Sequence, residues 1–255
     1  MTDKNKKEIN SPRLRTVDKV RPPFPLNEFP RDFGYRLGRE IVYLLATKGK
    51  GVLEGPEWEE IFANCIGAEW KPSNVGLDDV ILSACAWGAK TVKSPNPIRQ
   101  TQVRLISGRN APAYSFRDSK GTNVNPNTRG EQVLCIWNER VSAIREKYKH
   151  LRTVVLIKSD DLSELVVFEF ETVRYEPDLF SWRWNARKNL EGFVKSAGEH
   201  KFTWQPHGSQ FTIIEHIPPK NLLIKLKSPQ KLDKDVILRN LGFNNAWVKV
   251  LRRND

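Results

Sequence analysis

The stretch from Gly76 to Lys93 constrains this chain most. Asp78 and Asp79 lead into a short apolar run, Val80-Ile81-Leu82. Small residues follow from Ser83 to Ala86; then Trp87-Gly88-Ala89 leads to Lys90, with Lys93 three residues on. β-Branched and aromatic residues on either side of a small-residue turn predict a hairpin of two short strands. That geometry sets an acid at the start of one strand near a lysine at the end of the next. A carboxylate holds a divalent cation, and an ammonium beside it orients or activates a water. The same residues have a plainer reading: an Asp pair bonds its own backbone at a turn, and lysines flanking a strand blunt an exposed edge.

The surroundings favour the chemical reading. The surplus of 42 Lys+Arg over 30 Asp+Glu gives a net charge of +12, which suits a polyanionic partner: DNA, RNA or an acidic membrane. No apolar run approaches the roughly 20 residues that span a bilayer. Met1 to Asn10 carries charges with no apolar core behind it, which predicts no secretory leader. Cys65, Cys85 and Cys135 are odd in number and lack paired ligand spacing, and His150, His200, His207 and His216 form no zinc pattern. Reduced core thiols in a cytoplasmic protein are the expectation.

Residues 1–25 read as a flexible basic arm, suited to DNA phosphates or to solubility alone. Residues 26–255 read as one domain, with 26–175 as a core and 176–255 as a β-rich extension. A helix is predicted from Asp32, as a plausible N-cap, to Gly49, and a second over Pro56–Ile66, where Glu57, Glu59 and Glu60 complement the positive end. Thr101 to Ile106 reads as a strand running out of the hairpin region, and Ala111 to Arg129 as a long loop. Gly130 to His150 is the clearest helix; Arg152–Lys158 and Leu165–Tyr175 are strands. Asp233–Leu241 reads as a short helix and Trp247–Leu251 as a last strand. Strands and helices interleave, so the fold class is α/β with a mixed central sheet flanked by helices.

The order of a helix bearing Trp58-Glu59, then Asp78-Asp79-Val80-Ile81-Leu82, then Trp87-Gly88-Ala89-Lys90, then a further strand and helix resembles the PD-(D/E)xK nucleases, and among them the type II restriction endonucleases. The resemblance covers about Gly55 to His150. It implies a restriction-endonuclease-like fold and cleavage of double-stranded DNA at a short palindromic site. By position, Asp79 resembles the metal-binding aspartate, Asp78 its close substitute, Lys90 the lysine that closes the motif and Glu59 the glutamate on the preceding helix. The implied cofactor is Mg²⁺, held by Asp79 and Glu59. The resemblance also implies a homodimer on DNA, a cognate DNA methyltransferase as genetic partner, and a bacterial or archaeal cytoplasm.

The motif's second acid belongs two residues before the lysine, where this chain has Gly88. Glu59 is the candidate replacement, with Glu131 and Glu139 in reserve. Expected contacts to DNA are Arg104, Arg109 and Asn110 around the strand after the hairpin, and Arg183, Asn185, Arg187, Gln205 and Gln210 in the last third. Arginine pairs with phosphate or guanine, and Asn and Gln pair with adenine. Trp182, Trp184, Trp204 and Phe211 offer a platform or intercalating wedges, or else core. Two other function classes fit the same residues. One is a DNA-binding protein on a degenerate nuclease fold, motivated by Gly88. The other is an RNA-binding or RNA-processing protein, with bases stacked on the tryptophans.

Overall fold

The computed structural model describes residues 20–48, 52–72, 76–117 and 124–251. Most of the expected basic arm and the expected helix stop at Gly49 lie outside these ranges. Helices α1 (Phe33–Lys48) and α2 (Gly55–Ile66) come first. A capping box joins Glu54 to Glu57 at the start of α2, Pro56 fills its first turn, and Gly67 closes it at φ 70°, a left-handed conformation that glycine adopts freely. Strands β1 (Glu69–Trp70), β2 (Val80–Leu82) and β3 (Cys85–Lys93) then form an antiparallel meander.

The predicted hairpin is present, with a tighter turn than expected. Leu82 pairs with Cys85, so only Ser83 and Ala84 turn, with Ser83 at φ 54°. Cys85 and Ala86 belong to the strand, where both are buried. Then come β4 (Gln102–Arg109), α3 (Pro112–Phe116) and α4 (Pro126–Arg145). The expected long loop is therefore partly helical. Helix α4 starts four residues before Gly130, because the Asn125 side chain accepts from Asn127 N and Pro126 suits the first turn. It ends before His150, which opens β5 (His150–Lys158). Strands β6 (Glu164–Glu171), β7 (Phe180–Trp184), β8 (Leu190–Val194), β9 (His200–Gln205), β10 (Gln210–His216) and β11 (Leu222–Lys225) follow. Helix α5 (Lys234–Asn240) is capped by Asp233. Trp247–Leu251 is not a strand; it is exposed and finds no ladder partner.

The strands form two sheets. The first has the order β1-β2-β3-β5-β6-β11 and the second β4-β10-β9-β8-β7. Strand β5 runs parallel to β3 from Cys85↔His150 to Lys93↔Lys158, and α4 lies on the crossover between them. Two strands depart from chain order. Strand β4, read from the sequence as running out of the hairpin region, pairs with β10 in the second. Strand β11 returns to the first sheet beside β6. The alternation in β4 fixed its buried side, Val103 and Leu105, without naming its partner.

The core lies in layers. Helices α1 and α2 cover one face of the first sheet, with Phe33, Leu37, Trp58 and Phe62 packed on Trp87, Val154 and Leu156. Helix α4 lies between the other face and the second sheet, where Val133, Leu134, Trp137 and Val141 join Ala86, Leu151, Trp182, Phe202 and Phe211. The α/β reading holds as a mixed fold of two sheets flanked by helices. Among the described residues, no helix is long and apolar enough to cross a membrane.

Candidate active site and reading surface

Alternation along β3 decides which residues can do chemistry. Cys85, Trp87 and Ala89 point into the core under α1 and α2, whereas Ala86 points to the side of α4. By the two-residue period, Gly88 and Lys90 share the face of Ala86. Asp78 and Asp79 stand immediately before β2 and are 8% and 3% exposed. The Asp79 Oδ2 accepts from the Ala89 amide at 3.4 Å. Lys90 Nζ donates to the Gly76 carbonyl at 3.2 Å, so the amine lies over the segment that carries both acids.

Lys90 is the perturbed group of the hairpin. Burial lowers its pKa, Asp79 and Glu59 raise it, and Arg140 lowers it again. Desolvation wins, so the ammonium is held below the ordinary lysine range. The structure thus brings Asp79, Glu59 and Lys90 into one electrostatic neighbourhood. Glu59 is oriented from α2 by Trp70, whose Nε1 donates to Glu59 Oε2 at 3.2 Å.

Position 88 is closed as well as empty. A Cβ on Gly88 would lie 2.9 Å from the Gly76 carbonyl oxygen and 3.2 Å from Leu77 Cα. Backbone cannot yield as a side-chain end can, so no acid fits there with this loop in place. The reserves on α4 do not replace it: Glu131 and Glu139 are exposed, and Glu139 contacts Cys135 on the outer face of the helix. What α4 contributes instead is Arg140, which sequence reasoning missed. Burial lowers its pKa and Asp79 raises it, and its Nη1 donates to the Ser107 carbonyl at 2.6 Å. The available signals were its position three residues after Trp137, bordering the apolar stripe, and Gly108 interrupting a strand.

The donor set is one of hard oxygens. Among the described residues, no three His, Cys, Asp or Glu side chains gather as a ready metal cage. Mg²⁺ does not require one, since it binds through one or two carboxylates and otherwise keeps water or substrate phosphate. The buried Asp78 Oδ1 accepts no hydrogen bond from the described residues. The carboxylate oxygens of Asp79 and Glu59, with Asp78 next in sequence, are donors of the kind that suits Mg²⁺.

The expected DNA contacts divide by register. Arg109 opposes Gln210, and Gln210 opposes Gln205, so three candidates stand side by side across β4, β10 and β9. The β7–β8 turn carries Asn185 and Arg187 at the same end of the sheet, since Trp184 pairs with Leu190 and Leu190 with Trp204. Arg104 and Arg183 are exposed along the strands; Arg104 meets the His200 ring at 3.4 Å and the Arg183 guanidinium lies 4.1 Å from the Phe193 ring centre.

Two candidates do structural work. Asn110 is 3% exposed, its amide donates to the Ser209 carbonyl at 2.7 Å, and its carbonyl accepts from Trp204 Nε1 at 3.0 Å. It closes the β4 end and does not present its amide to a base edge. Asn185 folds its turn, accepting from the Arg187 and Asn189 amides at 2.9 and 3.0 Å and donating to Glu191 at 2.8 Å. Three of the four aromatics of the expected platform are core: Trp182, Trp204 and Phe211 are 5%, 0% and 1% exposed, while Trp184 is half-buried. Trp182 is sandwiched against Gly130 and Gly192, with a Cβ on Gly192 falling 2.7 Å from its ring.

A scan against protein-family models, a search of curated proteins and a search of solved structures each find no match to this chain.

Proposed function

We propose that this protein is a Mg²⁺-dependent, sequence-specific endonuclease of double-stranded DNA, of restriction type. The observation that carries the reading is the meeting of Asp79, Glu59 and a desolvated Lys90 at one corner of a mixed sheet. The element order on which the resemblance rests, a helix, the hairpin, a further strand and a helix, is matched by α2, β2–β3, β4 and α3–α4, although β4 lies in the second sheet. A restriction-endonuclease-like fold is part of the same proposal.

Asp79 and Glu59 would hold the cation. When bound, Mg²⁺ would polarise the scissile phosphate and lower the pKa of an attacking water. Lys90 would orient that water or stabilise developing negative charge. Arg109, Gln205 and Gln210 face the DNA from the end of the second sheet. Arg104, Arg183 and Arg187 supply phosphate contacts and most of the affinity. Cutting both strands calls for two copies on a two-fold site, and a companion methyltransferase protects the host's own sites.

The test is incubation with phage λ DNA, with and without Mg²⁺, read on a gel. A sharp Mg²⁺-dependent ladder supports the proposal. A smear points to an unspecific nuclease and removes the reading role of Gln205 and Gln210. One observation favours a second reading, DNA binding without cleavage: the backbone that closes position 88. Retarded but uncut DNA selects it. Burial of Trp182 and Trp204 leaves the half-buried Trp184 alone of the three tryptophans on which the RNA-stacking reading rests.

A further inference from the structure

We infer that Arg140 is a positioning residue that ties the reading sheet to the Asp79–Lys90 corner, so that cutting depends on how the end of β4 is seated. The inference rests on the nuclease reading above and adds a coupling to it. Helix α4 lies between the two sheets, and the half-buried Arg140 comes from it. On one side its charge interacts with Asp79 and with Lys90. On the other, its Nη1 donates to the Ser107 carbonyl at 2.6 Å. Ser107 is two residues before Arg109, which opposes Gln210 and through it Gln205. A single half-buried guanidinium therefore contacts the strand whose end faces DNA and acts on the acid proposed to hold the metal.

The backbone at this contact is shaped for the arginine. Position 108 is glycine, and a Cβ there would meet Arg140 Nη1 well inside contact distance. Arg140 Nη1 is the end of a flexible side chain, so it would move before the backbone does. Gly108 does not hold a positive φ, so alanine is compatible with its backbone. Gly108→Ala thus displaces the arginine fork from outside, without removing any functional group.

The experiment compares wild type, Gly108→Ala, Arg140→Gln and the double variant in single-turnover cleavage at saturating DNA. DNA affinity is measured without Mg²⁺, and thermal melting checks the fold. The expected result is a loss of cleavage rate on the order of 10- to 100-fold in each single variant, the scale of a small misplacement at a reacting centre. Affinity stays within about twofold of wild type, and the double variant is no slower than Arg140→Gln, because both changes break one contact. A Gly108→Ala enzyme that cuts at the wild-type rate, or losses that multiply in the double variant, overturns the tie. So does a loss of affinity equal to the loss of rate, since that is a plain DNA contact. Wild type that cuts nothing removes the nuclease reading, and the coupling falls with it; variants that match a cutting wild type remove the coupling alone.

Discussion

The two faces of the first sheet each bury charged side chains, and they differ in what those charges hold. Under α1 and α2, Arg152 and Glu169 are 2% and 0% exposed and pair at 2.8 Å. Glu169 also accepts from Trp87 Nε1 at 2.8 Å and the Asn27 amide at 3.1 Å, and Arg152 reaches the Phe24 carbonyl at 3.0 Å. Burial still pushes the Glu169 carboxyl up, while Arg152, Trp87 and Asn27 hold it down. Neither residue has a buried side-chain atom without a partner. On the side of α4, burial outweighs the attraction of Asp79 and Glu59 and holds Lys90 below the lysine range. A satisfied buried pair locks strands together. Perturbed ionisable groups of the second kind cluster at functional sites.

The contrast breaks most visibly at Glu169. Glu169→Ala leaves Arg152 buried without its carboxylate, and a loss of about 3–5 kcal/mol is expected in urea unfolding. A shift under about 1 kcal/mol would contradict the structural role given to this face.

Lys90→Met tests the opposite sign. It removes a desolvated ammonium, so a gain of about 0.5–2 kcal/mol is expected, together with loss of cleavage. The pH dependence follows the same direction. Because the folded pKa of Lys90 is lowered, the unfolded chain binds more protons between the folded and unfolded values. Wild-type stability gains a contribution there as pH rises, and Lys90→Met lacks it. Parallel stability–pH curves for the two proteins would refute the perturbation.

Smaller changes sharpen the reading end of the second sheet. Arg187→Ala, at an exposed turn tip, should weaken DNA binding about equally across sequences and lower the salt slope by about 1. Gln210→Ala should instead relax preference at one base pair, by about 1–3 kcal/mol at most. The smallest effect belongs to the last segment, where α5 buries no residue and Trp247 is 61% exposed. Trp247→Ala should change stability by no more than about 0.5 kcal/mol, measured by thermal melting.

The local elements were legible in the sequence and the long-range pairing was not. Alternation and turn residues located the hairpin, and the acids at its start and Lys90 at its end followed. The helix with Glu59 was marked by Pro56 and its glutamates. Pairing between distant strands leaves no local trace, so neither the pairing of β4 with β10 nor that of β11 with β6 was legible. Burial of aromatics is ambiguous for the same reason: Trp182 becomes core because Gly130 and Gly192 make room for its ring. Asn110 reads as a base-reading amide until the strand end closes over it. Arg140 is only faintly marked in the sequence, because its place beside Ser107 and Asp79 depends on how α4 packs.

The most direct measurement sets the two faces against each other. Single-turnover cleavage is followed for wild type, Asp79→Asn and Glu169→Gln at a temperature where all three are folded. Cutting on the order of 10²–10³-fold slower in Asp79→Asn, with Glu169→Gln near the wild-type rate, is the predicted result. Asp79→Asn cutting as fast as wild type, or Glu169→Gln losing as much as Asp79→Asn, would contradict the assignment of the site to the α4 face.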